Sequence, residues 1–264
     1  MERDLSTTPD VALVVGAGGP TGGPFIWSAL HALESHTGWA PTMAKTIVGT
    51  SAGAFVAARM GERTDSTASA VEQLIALGNA DAYRPALRTQ VGSVVRTLGG
   101  HVIAFVAPTK RPFADYQVPA GPFHAGASAI TVQRRSGKRH RHELALVTDS
   151  TAVVQASAAI PFVNKPVKLN GSFHVDGAVH SANNVDVVDP ATHPVIVVVS
   201  PMIPASGGST MSRFHRAQLR CELLPWMQHG RTAVVVMPSA EAHANRRDRE
   251  FYEPQGARSV ERLI

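Results

Sequence analysis

Twice in its first sixty residues the chain passes from a short apolar segment, through a cluster of small residues, into a helix-spaced pattern. Val11 to Val15 (VALVV) runs into Gly16-Ala17-Gly18-Gly19-Pro20-Thr21-Gly22-Gly23 and then FIWSALHALESH, where Phe25, Ala29, Leu30 and Leu33 share one helical face. Lys45 to Thr50 reads as a second strand, and after Ser51 a helix is expected over Ala52 to Met60. A strand that is apolar at every position is covered on both faces. One that leads into a helix and then another such strand builds a crossover unit. The pattern therefore predicts an α/β fold with a mainly parallel central sheet covered by helices.

The remainder is less regular. Residues 62–127 are expected to hold helices near Ser66 to Leu77 and Ala86 to Leu98. A Pro- and Gly-rich loop follows, APTKRPFADYQVPAGPFHAG, of the length that lids and binding loops take. Strands are expected at Ser128 to Gln133 and Glu143 to Thr148, flanking the basic segment RRSGKRHRH. A helix over Thr151 to Ala159 should stop at Ile160-Pro161. Asn170-Gly171 is a two-residue hairpin turn, and its second strand runs out at Asp176-Gly177-Ala178. Val195 to Ser200 and Thr232 to Met237 read as further sheet strands around a helix at Met211 to His229, with a last helix at the C-terminus. No repeat or linker divides the chain, so residues 1–264 are read as a single domain with 1–9 as a flexible lead.

Composition removes several function classes. Hydrophobic content of 44% with 17% charged residues suits a globular protein. No apolar run is long enough to span a bilayer, and the polar start MERDLSTTPD is not expected to act as a secretory signal. The lone Cys221 excludes an internal disulfide and suits a reducing, cytoplasmic setting; it is expected to be a buried small hydrophobe in a helix. The net charge of +5 is matched by five residues of RRSGKRHRH: Arg134, Arg135, Lys138, Arg139 and Arg141. These are expected to solvate a hairpin tip; the sharper alternative is peripheral contact of the 134–142 tip with an anionic membrane. The segment lacks interleaved aromatics and accompanying motifs, which argues against nucleic acid. No zinc-ligand spacing or calcium loop is present, so no metal or cofactor is expected. The glycine loop lacks the Lys-Ser/Thr of a P-loop, and neither register of a dinucleotide fingerprint fits it.

Chemistry concentrates at the sharp turns. Gly49-Thr50-Ser51-Ala52-Gly53 is G-x-S-x-G between a strand and a helix, the nucleophile-elbow pattern. Gly49 and Gly53 relieve crowding there, while the Ala52 N–H and the helix dipole lie close to the serine. A serine nucleophile needs a base. Ser51 follows only the second strand, unlike the α/β-hydrolase order, and none of the twelve histidines is singled out. His243 lies late but in an Arg-rich polar stretch, and His174 reads as a supporting or surface residue. Asp176 is followed by Gly177 and Ala178, whereas Asp149, Asp186 and Asp189 precede no Gly-Ala pair. Gly18 and Gly19, before a helix, leave backbone N–H groups that an anion can approach closely.

A glycine loop after the first strand, G-x-S-x-G after the second and a late Asp-Gly-Ala together resemble the patatin-like phospholipase family. The resemblance runs through LVVGAGGPTGGPFIWSALHALE, IVGTSAGA and QASAAIPFVNKPVKLNGSFHVDGAVHSANNVDVV to the closing strand and helices. It implies a three-layer α/β/α fold with a mainly parallel sheet. It also implies a Ser–Asp dyad acting on lipid or other acyl esters, with Ser51 as nucleophile, Asp176 as base, and Gly18 and Gly19 as oxyanion donors. The family loop commonly carries a basic residue where this chain has Thr21, and Ala17 interrupts the glycine run. Loss of that cation weakens head-group recognition and leaves room for an acyltransferase or thioesterase serving a carrier-bound acyl group. A non-catalytic binding protein on the same fold is the third alternative, and intact Ser51 and Asp176 argue against it.

Overall fold

The computed structural model describes residues 10–61, 67, 93–98, 101–106, 123, 126–239 and 260–263. In chain order the elements are β1 (Val11–Val15), α1 (Gly19–Thr37), β2 (Thr46–Gly49), α2 (Ala52–Gly61), β3 (Ser93–Leu98), β4 (His101–Val106), β5 (Ala127–Gln133) and β6 (Arg139–Glu143). They continue with α3 (Ser150–Ser157), β7 (Val167–Leu169), β8 (Ser172–Asp176), β9 (Val195–Val199), α4 (Thr210–Gln228), β10 (Thr232–Pro238) and β11 (Val260–Leu263). The central sheet has the order β11-β10-β9-β1-β2-β5-β8-β7, with β6 also on β5; β3 and β4 pair as a separate hairpin. The strands from β10 to β5 are parallel neighbours; β11, β6, β8 and β7 join antiparallel.

Strand β1 is the centre of the layering because all five of its residues are buried. Val11, Leu13 and Val15 face a core made with Phe25, Ile26, Trp27 and Leu30 of α1 and Val56 of α2. Ala12 and Val14 face the opposite core, with Ile203 and with Leu219 and Trp226 of α4. Alternate side chains of one strand thus meet helices on both faces, the three-layer α/β/α arrangement. Each such valine or leucine stabilises the fold by roughly 1.5–3 kcal/mol relative to exposure. A third cluster joins Ala54 and Ala58 of α2, Ala127 and Ala129 of β5, and Val153, Val154 and Ala156 of α3.

The strands expected at the head of the chain, the Asn170-Gly171 hairpin and the helix before Ile160 are all present. In the hairpin turn Asn170 and Gly171 have φ of 45° and 83°, the left-handed pair that such a turn demands. Four expectations need correction. Residues 93–98 are strand β3, not the end of a helix; the rest of the two helices expected between 66 and 98 lies outside the described residues, apart from Thr67. The strand after the basic tip is Arg139–Glu143, not Glu143 to Thr148, so the turn covers only residues 134–138. Residues 260–263 are strand, not helix, and pair with β10. Cys221 is exposed on α4, whose buried positions are Ser212, Leu219, Glu222 and Trp226. Most of the 107–126 loop and His243 lie outside the described residues.

Candidate active site

Strand β5 has two edges and three partners. β6 pairs along Ser128 to Val132, overlapping both β2, at Ala127 to Ala129, and β8, at Thr131 to Gln133. The last two therefore share the opposite edge. They run in opposite senses along it: β2 ends with Gly49 beside Ala129, and β8 ends with Asp176 beside Thr131. Their C-terminal ends point at each other across Ile130, and the residues just beyond or at those ends are Ser51 and Asp176.

Ser51 leaves the strand with φ of 56°, a left-handed conformation rare for a residue with a side chain. The turn is tight enough that a Cβ on Gly49 would lie 2.3 Å from the Gly53 carbonyl oxygen, and one on Gly53 would lie 2.0 Å from that of Val15. Both glycines are thus demanded by close backbone approach. Ser51 itself is 4% exposed and Asp176 2%.

Ser51 and Asp176 line the same pocket, and the Ser51 hydroxyl is near enough to the carboxyl to favour its charged form. Burial pushes that carboxyl up to about 7, against the opposing effects of the Ala178 N–H and the Ser51 hydroxyl. The Ala178 N–H donates to Asp176 Oδ1 at 2.8 Å, which orients the carboxyl as the chain enters a single 3₁₀ turn at Gly177–Val179. An aspartate held near neutrality is well matched to taking and returning a proton at ordinary pH.

The glycine loop forms the facing wall. Gly16 N–H donates to Val199 O and Ala17 N–H to Ala182 O, at 2.9 and 2.8 Å, so the first two amides of the loop hold it in place. Gly18 is the N-cap of α1 and Gly19, with φ of 59°, its first residue. A Cβ on Gly18 would lie 2.3 Å from Gly22 Cα. Gly18, Gly19, Ser51 and Asp176 line one pocket of about 380 Å³, completed by Ala17, Ile160, Pro161, Ala178, Val179, Pro201 and Met202. Apart from the Ser–Asp pair and the loop backbone, that lining is apolar. Ile160 and Val179 are also 39% and 55% exposed, so the apolar wall continues outwards to solvent.

Asn184 was not singled out by the sequence pattern, yet it ties the two arms together. Its Nδ2 donates to Thr50 Oγ1 at 3.1 Å, to Ser181 O at 2.7 Å and to Gly177 O at 3.4 Å. One side chain therefore bridges the residue before Ser51 and the residue after Asp176. The Asn184 Oδ1 accepts from Arg139, which also forms a paired contact with Asp186 at 2.7 and 2.6 Å.

The other candidate acids have different duties. Asp149 caps α3 through the Ala152 N–H, Asp186 pairs with Arg139, and Asp189 accepts from Ala191 N–H in a turn. His174 is buried rather than on the surface and shares the Thr131 hydroxyl with His142, each at 2.8 Å. Its ring also packs against those of His140 and His142, with centroids 5.1 and 5.7 Å away. Burial, reinforced by the neighbouring rings, lowers the His142 pKa to about 4 and shifts that of His174 down. Among the described residues, no group of three His, Cys, Asp or Glu side chains is placed to hold a metal ion.

The model of the Patatin-like phospholipase family matches residues 13–189, about two thirds of the chain, from within β1 to beyond the Asp176 turn. The chain belongs to the patatin-like phospholipase family. Its general class is therefore that of lipid acyl hydrolases, and its fold that of patatin. Among solved structures it is similar to the crystal structure of VipD from Legionella pneumophila, at 10% identity and a TM-score of 0.41, covering 97% of this chain and 68% of that one. No curated protein matches it. Among the described residues, no helix is long and apolar enough to cross a membrane.

Proposed function

We propose that the protein is a serine acyl hydrolase of lipid-like esters that works through a Ser51–Asp176 dyad. The observation that carries this is that Ser51 and a buried Asp176 carboxyl, pushed up to about 7, line one apolar-walled pocket together. Ser51 Oγ attacks the ester carbonyl while its proton passes to Asp176. The oxyanion is received by the Gly18 and Gly19 amides at the start of α1, where the helix dipole adds to the attraction. Asp176 returns the proton to the departing alcohol, which leaves an acyl-enzyme on Ser51. Asp176 then takes a proton from water, and the resulting hydrolysis frees the acid and restores the serine. Ile160, Pro161, Val179 and Met202 offer the acyl chain an apolar wall.

The alternative acceptor, a carrier-bound group in place of water, uses the same acyl-enzyme and differs only in its second half. A panel of soluble esters, thioesters and phospholipids, assayed by product with the wild-type protein and Ser51→Ala, tests both. Release of free fatty acid from esters, lost in the variant, is the expected result. Turnover that survives in Ser51→Ala removes the dyad, and acyl transfer outrunning hydrolysis in the presence of an acceptor favours the transferase.

A further inference from the structure

The parallel ladder between β2 and β5 steps by two residues. Ile47 N–H donates to Gly126 O at 2.9 Å, and the register pairs Gly49 with Ala129, so the next rung falls from Gly49 to Ser128 O. One step further would carry the Ser51 N–H to Ile130 O. That rung is not made. Instead Ser51 N–H donates to Ser157 Oγ at 3.0 Å, and Ser157 Oγ donates to Ile130 O at 2.7 Å. A single hydroxyl, fully buried at the end of α3, is inserted where the ladder would have closed. Ile130 is also the position left open between the facing ends of β2 and β8.

We infer that Ser157 is a positioning residue that sets the geometry of the elbow, an inference that rests on Ser51 being the nucleophile. Its hydroxyl proton goes to Ile130 O, which leaves an oxygen lone pair directed at the Ser51 amide. The wedge holds that amide one hydroxyl's width away from the sheet and so supports the left-handed turn at Ser51. Without it, the Ser51 N–H either falls back towards Ile130 O or remains buried without a partner. In both cases Ser51 Oγ moves relative to Asp176 and the oxyanion loop, while the pocket walls that bind substrate stay where they are. Misplacement of a reacting atom by about 1 Å can cost on the order of 100-fold in rate. Loss of Ser157 should thus appear in kcat and not in KM.

The test compares wild type, Ser157→Ala and Ser157→Cys on a soluble p-nitrophenyl ester, with a fluorophosphonate probe to count reactive Ser51. Expected are a 10- to 100-fold lower kcat for Ser157→Ala, a KM within about threefold of wild type, and probe labelling slowed in parallel. Ser157→Cys keeps a weak donor and acceptor of similar size and should fall between the two. The pH midpoint should stay near 7, because burial, the dominant influence on the Asp176 carboxyl, is unchanged. If wild type is not labelled at Ser51, the nucleophile assignment fails, and this inference with it. If Ser51 is labelled but both variants keep wild-type kcat, or if kcat and KM change only in proportion to lost folded protein, the positioning role alone is overturned. Failure of both variants to fold would assign Ser157 to folding and overturn it likewise.

Discussion

Ser51 and Asp176 stand at the facing ends of two strands, β2 and β8, that occupy successive stretches of the same edge of β5. Neither strand needs a long loop to reach the other. The sheet itself brings the hydroxyl and the carboxyl into one pocket, and the Asn184 bridge from Thr50 to Gly177 keeps the two ends together.

From that relationship Ser51→Ala should abolish ester hydrolysis without loss of fold. The substitution removes one buried oxygen and leaves the Ser51 backbone bond to Ser157 intact. A fluorophosphonate probe should label wild type at Ser51 and leave the variant unlabelled, with matching thermal melts. Labelling at another serine would remove the assignment.

Asp176 carries two linked expectations. As a base it must be ionised, so kcat/KM on a soluble ester should rise with pH through a midpoint near 7 and then level off. Its effect on stability has the opposite sense. The folded carboxyl keeps its proton up to about 7, whereas the unfolded one loses it near 3.8. Between those values the native state binds more protons, so stability falls as pH rises through that window, by up to about 4 kcal/mol at about 1.4 kcal/mol per pKa unit. Asp176→Asn should therefore lose at least about 1,000-fold in kcat and yet melt higher than wild type at pH 8, with the gap closing towards pH 4. Equal melting temperatures at pH 8 would show that the carboxyl is not held against its burial.

Histidine substitutions should separate from this pattern. His174 spends its ring on Thr131 and on two neighbouring imidazoles. His174→Ala should lower the melting temperature, by roughly 1–3 kcal/mol in stability for a lost buried hydrogen bond and its packing, while kcat stays within a few-fold of wild type. A loss of kcat equal to that of Asp176→Asn, in His174→Ala or in His243→Ala, would replace the dyad by a triad.

The fold was legible wherever apolar residues carried the pattern. β1, β9 and β10 are valine-rich runs and β2 a short Ile-Val segment, all mostly buried, and Asn170-Gly171 declares its turn by the left-handed backbone it needs. β6 was misplaced because both of its faces are polar. Arg139 and Arg141 reach towards Asp186 and Ser128, while His140 and His142 pack with His174 on the other face. An alternation of two polar types has period two but no hydrophobic contrast. Ser51 and Asp176 were visible as motifs, since sharp turns constrain their neighbours to glycine. Ser157 and Asn184 were not, because a small polar residue in QASAAIP or HSANNVD carries no local mark of the distant backbone it bonds.

The last prediction concerns the basic segment, whose five cations are not equivalent. Arg134, Arg135 and Lys138 are exposed at the turn, whereas Arg139 and Arg141 belong to β6 and hold structure. Arg139 links Asp186 to Asn184 and so reaches the bridge between Thr50 and Gly177; Arg141 Nε donates to Ser128 Oγ at 2.9 Å. Neutralising all five would mix surface charge with site geometry. The informative variant replaces only Arg134, Arg135 and Lys138 by Gln. If those three merely solvate the turn, hydrolysis of a soluble ester and binding to anionic vesicles should both match wild type. If they draw the protein to anionic lipid, three charges at about 1 kcal/mol each should weaken vesicle binding on the order of 100-fold, with soluble turnover unchanged. That difference should shrink as added salt shortens the Debye length. The expected outcome is the first, because Thr21 occupies the position where the family loop is commonly basic and the pocket's own side chains present no cation. Arg139→Ala provides the contrast: it should lower the melting temperature and kcat together, and do so with the soluble ester as much as with vesicles. A large, salt-sensitive loss of vesicle binding in the triple variant would instead make the turn a membrane anchor and phospholipid at a bilayer surface the substrate.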